Sequence, residues 1–196
     1  MAATITRERI LDEAMHLFSE QGFKATTIVQ IEAASGLTPG AGGIYHHFAN
    51  KEALLAAGIE RHLQRLDALR DIREIFAGVG DLRTELTIAA RYILAELDRE
   101  AELMRILATE AHNRPGLVAA ATERLLGSTL RGFAGWLAEH SERELSGEDA
   151  EALASLSLGG LVSTRLLKGA LAMSTTVDDE RLVGSWVGLL EPALRS

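Results

Sequence analysis

Cysteine is absent from the 196 residues, which removes disulfides, thiolate metal sites and cysteine nucleophiles together. Proline occurs three times, and aromatic residues are few: 5 Phe, 2 Tyr and 2 Trp. The apolar 47% is therefore carried mainly by Leu, Ala, Ile and Val, a composition that suits packed helices better than a β-rich fold. No apolar run is long enough to span a bilayer. Arg7, Glu8 and Arg9 lead into an amphipathic segment rather than an apolar signal region, so a cytoplasmic location is the expectation. Positive charge is scarce as well. The net charge of -8 argues against non-specific nucleic-acid binding by the molecule as a whole. Residues 1–60 hold Arg7, Arg9, Lys24 and Lys51 against seven carboxylates, a net of -3. Any DNA contact must then rely on a few well-placed donors and helix N-termini.

What is present is helical periodicity. Ile10, Leu11, Ala14, Leu17 and Phe18 define one face of a first helix, with Thr6 as its cap, Met1 to Ile5 as a loose arm, and Gly22 as its end. Thr27 and Gln30 have the spacing of a capping box before Ile28, Ile31 and Ala34. That helix breaks at Ser35-Gly36, and Leu37 plugs the turn. Thr38 then reads as an N-cap with Pro39 in the first helical position. Gly40, Gly42 and Gly43 each disfavour a helix interior by about 1 kcal/mol relative to Ala. Either the third helix is short and begins late, or the glycines permit close approach to a partner. Two short helices around a glycine-containing turn are the pattern of a helix-turn-helix, whose second helix can enter the DNA major groove.

Downstream, Asn50 caps a long helix carrying Leu54, Leu55, Ile59, Leu63, Leu66 and Leu69. Residues 71–77, with Ile72, Ile75 and Phe76, read as a short extension or a link before the break at Gly78-Val79-Gly80. Asp81 caps a helix with Leu82, Leu86, Ala89, Ile93 and Leu97, and a shorter one follows over residues 100–108. Pro115 opens a long helix to about residue 136 or 140. Ser146 to Asp149 starts another, with Leu153, Leu156, Gly160, Leu167 and Leu171. Beyond Thr175-Thr176 and Asp178, the last helix carries Leu182, Val183, Trp186, Leu189, Leu190 and Leu194. These final two helices form a hairpin expected to pair with its copy in a second chain, the alternative being that the same faces complete the monomer core.

Over residues 8–56 the chain resembles the TetR family of bacterial transcriptional regulators. The resemblance is carried by Phe18-Ser19-Glu20-Gln21-Gly22-Phe23, Thr26-Thr27, Ile31, Ala34-Ser35-Gly36-Leu37-Thr38, Tyr45, His47-Phe48, Lys51-Glu52 and Leu54-Leu55. It implies an all-α fold in which an N-terminal three-helix helix-turn-helix domain, residues 1–50, joins through a long helix to an α-helical effector-binding and dimerisation domain, residues 51–196. It further implies a ligand-responsive regulator, acting as a repressor, that binds a palindromic double-stranded DNA operator as a homodimer through its two C-terminal helices. Tyr45, His46, Lys51 and Thr27 are then the phosphate-side contacts, and Thr38, Pro39, Gly40, Ala41 and Gly43 the groove-side ones. Gly40-Ala41-Gly42-Gly43 carries about two residues more than the family's usual turn, which leaves the register of the base contacts open. No Arg, Asn or Gln lies between Thr38 and Ile44, so direct base readout is expected to be modest, with DNA shape, water or contacts from Thr26 to Gln30 supplying more of the specificity.

The resemblance also implies an apolar cavity for a small, apolar or aromatic effector, with Tyr92, Leu103, Met104, Leu107, Phe133 and Trp136 as candidate lining residues and Glu96, Glu110, His112 and Asn113 as polar anchors. Each candidate has an ordinary structural reading too: Tyr45 covering a small core, Lys51 a solvated lysine, His47 a helix-end residue, the cavity residues plain packing. His16, His46 and His47 lack the spacing of metal ligands. No nucleophile elbow, phosphate loop or metal-binding helix motif occurs, so no enzymatic reading and no cofactor are proposed. The competing reading is a helical dimeric adaptor or ligand-binding protein without specific DNA binding, favoured by the acidic N-terminal unit.

Overall fold

The computed structural model describes residues 2–70, 80–170 and 177–195, and every regular element among them is helical. The helices are α1 (Ala2–Gln21), α2 (Ile28–Ala34), a 3-10 turn (Gly43–His46), α3 (Lys51–Arg70), α4 (Leu82–Arg99), α5 (Ala101–Glu110), α6 (Pro115–Thr122), α7 (Ser128–His140), α8 (Gly147–Ala170) and α9 (Asp179–Arg195). A π-helical turn, Glu123–Gly127, makes α6 and α7 continuous. By contact density the chain forms two compact units, Met1–Asp67 with Glu102–Ala121, and Ala68–Ala101 with Thr122–Ser196. The expected functional boundary at residues 50/51 falls at the start of α3, within the first unit. Among the described residues no helix is long and apolar enough to cross a membrane.

In the first unit, α1 buries Ile10, Leu11, Ala14, Met15 and Phe18. It is helical from Ala2, not from Thr6, because nothing in Ala2-Ala3-Thr4-Ile5 breaks a helix. Gly22 ends it in the left-handed region (φ +82°), with its N–H donating to the Phe18 carbonyl at 3.0 Å. α3 lies so close to α1 that a Cβ on Gly58 would stand 2.3 Å from Met15 Sδ. Arg61 of α3 fixes the same pair of helices by bridging Glu8 (3.1 Å) and Asp12 (2.8 Å) of α1. α5 adds Leu103, Met104, Ile106 and Leu107 to this unit as buried residues. His16 meets Glu102 at 3.0 Å, and Glu20 pairs with Arg105. The Glu102 hydrogen bond raises the His16 pKa above its ordinary value.

The second unit is built on α4, α7, α8 and α9. Its core includes Leu86, Ala90 and Leu94 of α4, Leu137 of α7, Ala154, Leu158 and Leu161 of α8, and Val187, Leu190 and Leu194 of α9. Phe133 stacks on Trp136 (centroids 5.8 Å) and on Trp186 (5.9 Å), and Trp186 Nε1–H donates across to the Ser157 carbonyl at 2.9 Å. Arg165 of α8 donates to Asp98 of α4 (3.0 Å) and Asp179 of α9 (2.8 Å), which ties three helices through one guanidinium. That guanidinium holds the Asp179 carboxyl below the usual carboxylate range. Two apolar residues of the expected hairpin face are not part of the core: Leu156 is 77% exposed and Leu189 76%. The readings on residues 71–79, Leu171 and Thr175-Thr176, and on the Leu66 and Leu69 side chains, lie outside the described residues.

Candidate nucleic-acid interface

Local hydrogen bonding builds the segment from Thr26 to Lys51 stepwise. Thr26 is fully buried and donates its hydroxyl to the Gly22 carbonyl at 2.8 Å, which closes the α1–α2 connection. Thr27 then caps α2 with the complete capping box: Gln30 N–H donates to Thr27 Oγ1 (3.2 Å) and Thr27 N–H to Gln30 Oε1 (2.7 Å). At the far end Leu37 N–H donates to the Glu32 carbonyl (2.8 Å) around Gly36 at φ +70°, a C-terminal turn only glycine enters at little cost.

The next element departs from expectation. Thr38 is not a helix cap and Pro39 is not in a helix. Ala41 N–H donates to the Thr38 carbonyl at 3.2 Å to close a turn, and Gly40 (φ +77°) and Gly42 (φ +73°) both take the left-handed conformation. Two left-handed residues are incompatible with a right-handed helix, so the helical stretch begins late and is one 3-10 turn. Tyr45 N–H donates to the Gly42 carbonyl at 3.0 Å within it. Gly43 is half-buried, with its Cα facing Leu37; an added Cβ would stand 3.6 Å from that side chain.

Thr27, Thr38, Pro39, Gly40, Ala41, Tyr45 and His46 are all exposed, Tyr45 by 55%. Ile44 and Phe48 beside them are buried and anchor the turn, while His47 is half-buried. The ammonium of Lys51, the expected phosphate contact, donates to the carbonyls of Phe23 (2.8 Å) and Thr26 (2.7 Å) and lies 4.4 Å from the Phe23 ring centroid. The Arg114 guanidinium, from the turn after α5, sits 3.9 Å from the same centroid. Asn50 caps α3 as its position implied, accepting from Ala53 N–H at 2.7 Å.

Two features of this surface were missed in the sequence. Val29, on α2 between Thr27 and Gln30, is 50% exposed although its type suggests burial. Glu32 is fully buried, and its carboxylate accepts from Gly40 N–H (Oε2, 2.7 Å) and Ile44 N–H (Oε1, 3.4 Å). The available signal was an acidic residue at the helical spacing of the buried face made with Ile31 and Ser35, followed by a glycine-rich loop full of unpaired amides.

Of the residues considered for an effector, Leu103, Met104 and Leu107 belong to the first unit and are buried there. Tyr92, Phe133 and Trp136 belong to the second; Phe133 is buried, and Tyr92 and Trp136 are half-buried. Glu96, on α4 one turn after Tyr92, is 8% exposed and accepts from Arg99. Among the described residues no group of three or more His, Asp or Glu is placed to hold a metal ion.

The short capped helix α2, a glycine turn and an exposed segment ending in one 3-10 turn, in one compact unit with α1 and α3, form a helix-turn-helix unit. Residues 10–57 match the family described as bacterial regulatory proteins, tetR family. The chain is 38% identical over 73 residues to the HTH-type transcriptional regulator YerO of Bacillus subtilis, covering 37% of this chain and 25% of that protein. It is 40% identical over 74 residues to the HTH-type transcriptional regulator UidR of Escherichia coli K12, covering 38% and 36%. These matches thus span about a quarter to a third of the curated relatives' length. The fold is similar over nearly its whole extent to a TetR-family transcriptional regulator from Mesorhizobium loti, with TM-score 0.73, 20% identity, and 98% and 96% of the two chains covered. Over residues 10–57 the chain thus matches the TetR family, and its fold over nearly the whole length is similar to that of a TetR-family structure.

Proposed function

We propose that this protein is a ligand-responsive transcriptional repressor that binds a palindromic DNA operator as a homodimer. The observation that carries the reading is the exposed run Thr38–Ala41 with Tyr45 and His46, beside a buried core from α1, α2 and α3. Tyr45 and His46 meet phosphate oxygens together with Thr27, while the Thr38 hydroxyl, the Pro39 ring and the Ala41 methyl, with Gly40 and Gly43 between them, face the groove. Lys51 serves the interface indirectly, by holding the α1–α2 connection through two carbonyls.

The homodimer forms through α8 and α9. Leu156 and Leu189 are large apolar residues facing solvent, and Gly159, Gly160, Gly184 and Gly188 have open space where a Cβ would stand. Two copies of such a face bring small residues and leucines together as a four-helix interface. An apolar or aromatic effector is bound within one of the two helical units, with Tyr92, Phe133 and Trp136 the candidates inside the second and Leu103, Met104 and Leu107 those inside the first. Occupancy regulates DNA only if the ligand prefers one arrangement of the two reading units.

The test is selection of bound sequences from a random duplex library at fixed salt. The reading expects a palindrome with two chains per duplex, and Tyr45→Ala is expected to weaken binding to it without lowering the melting temperature. A flat selection, in which no sequence is enriched, overturns DNA regulation and favours the adaptor reading to which the acidic N-terminal unit points.

A further inference from the structure

We infer that Glu32 is a positioning residue for DNA recognition, whose buried carboxylate sets the shape in which Thr38–Gly43 meets the duplex. The inference rests on the DNA-binding reading above and adds to it the group that defines the reading surface. A carboxylate with no solvent exposure is unfavourable unless hydrogen bonds replace its lost water. Glu32 finds these bonds eight and twelve residues along the chain, at the Gly40 and Ile44 amides. The two bonds bracket the added glycine segment: one oxygen holds its start, the other the residue at which the buried anchor begins.

The backbone conformation explains why an anion is needed there. Turns that mix right- and left-handed residues can gather backbone N–H groups around an anion, and here Gly40, at φ +77°, and Ile44 both aim theirs at one carboxylate. In many such turns the anion is a bound phosphate; here the chain supplies its own. The Gly40 N–H is thereby turned inward, and the surface left for DNA consists of the Thr38 hydroxyl, the Pro39 ring and the Ala41 methyl, all exposed.

A segment with Gly40, Gly42 and Gly43 has unusually wide backbone freedom, and no α-helix restrains it. Ordering it only on DNA would subtract from the binding free energy. The carboxylate orders it beforehand, much as the missing helical hydrogen bonds would have done. This ordering concerns the shape presented to the groove and leaves the phosphate contacts of Thr27, Tyr45 and His46 untouched. Loss of Glu32 should therefore reduce discrimination between sequences while sparing general attraction to the duplex.

The test compares wild type, Glu32→Gln and Glu32→Ala on the duplex selected by wild type and on a scrambled duplex of equal length. Circular dichroism checks folding, and amide exchange at Gly40 and Ile44 is measured by NMR. Glu32→Ala is expected to lose about 10-fold or more in affinity for the selected duplex, because the freedom regained by the glycine turn must then be lost on binding. Affinity for the scrambled duplex and the salt slope should stay as in wild type, with faster exchange at both amides. Glu32→Gln, which keeps one carbonyl acceptor and the same shape, should fall between. Equal weakening on both duplexes, or full retained discrimination, overturns the inference. If Glu32→Ala does not fold, Glu32→Gln decides it: unchanged discrimination or unchanged exchange overturns the assignment. Failure of wild type to select any sequence is a separate result, since it removes the DNA-binding reading itself and the inference with it.

Discussion

Replacing Lys51 with Ala separates two roles that its position allows. A lysine at the first turn of α3 is well placed for a phosphate, yet in the structure its ammonium lies on two main-chain carbonyls at 2.8 and 2.7 Å and near the Phe23 ring at 4.4 Å. Hydrogen bonds to a charged group contribute about 1.5–3 kcal/mol each, and a cation over a partly exposed ring about 0.5–1 kcal/mol. Lys51 is only half-buried, and fixing its long side chain loses up to about 2 kcal/mol of entropy, so the parts do not add in full. The expected net loss is about 1.5–3 kcal/mol, which lowers the melting temperature by roughly 3–10 °C. Calorimetry or thermal circular dichroism measures it. Lys51→Met, which keeps the stem over Phe23, should recover part of the loss. On the selected duplex the dependence of binding on salt should keep its slope, because no phosphate contact has been removed. Unchanged stability together with a slope reduced by about 0.9, the signature of one lost phosphate, would refute this reasoning.

Three further perturbations probe other parts of the molecule. Gly58→Ala is expected to cost about 1–3 kcal/mol by forcing α3 away from Met15, and combination with Met15→Ala should cost less than the sum of the two; simple additivity in chemical denaturation would show that the contact is not the cause. Leu189→Asp should convert a dimer to a folded monomer in sedimentation equilibrium with little change in helical content, since Leu189 is 76% exposed in the single chain; an unaltered dimer would place the interface elsewhere. His16→Gln removes a group whose folded pKa is raised by Glu102, so its contribution is fully present below the unfolded value and is lost as pH rises through the folded one. With His16 exposed the effect should stay below about 1 kcal/mol, larger at pH 6 than at pH 8; the reverse order would contradict the assignment of the His16–Glu102 pair.

The helix boundaries set by local chemistry were legible in the sequence, because a cap needs only the next three residues. Thr27, Asn50 and Asp81 each accept the backbone N–H their spacing implied. The burial of Ile10, Leu11, Ala14 and Phe18 followed in the same way from a 3.6-residue period. Groups whose partners lie far along the chain were not legible. Lys51 bonds to residues 25 and 28 positions earlier, and neither its charge nor its place at a helix start distinguishes carbonyls from phosphate as the acceptor. Glu32 sits in α2 like any surface glutamate until the glycine turn folds over it. Thr38-Pro39 is a strong helix start by local preference, but two left-handed glycines and a buried carboxylate outweigh it. Periodicity placed Leu156 and Leu189 on apolar faces without showing that the chain itself leaves them uncovered.

The central claim, that the turn from Thr38 through His46 is the surface that meets DNA, is tested most directly by hydrogen exchange with and without the selected duplex. Slower exchange in peptides spanning residues 38–46 and at Thr27, with the α4 and α7 amides unchanged, is the predicted result. Bound duplex that leaves residues 38–46 exchanging as in the free protein would contradict it.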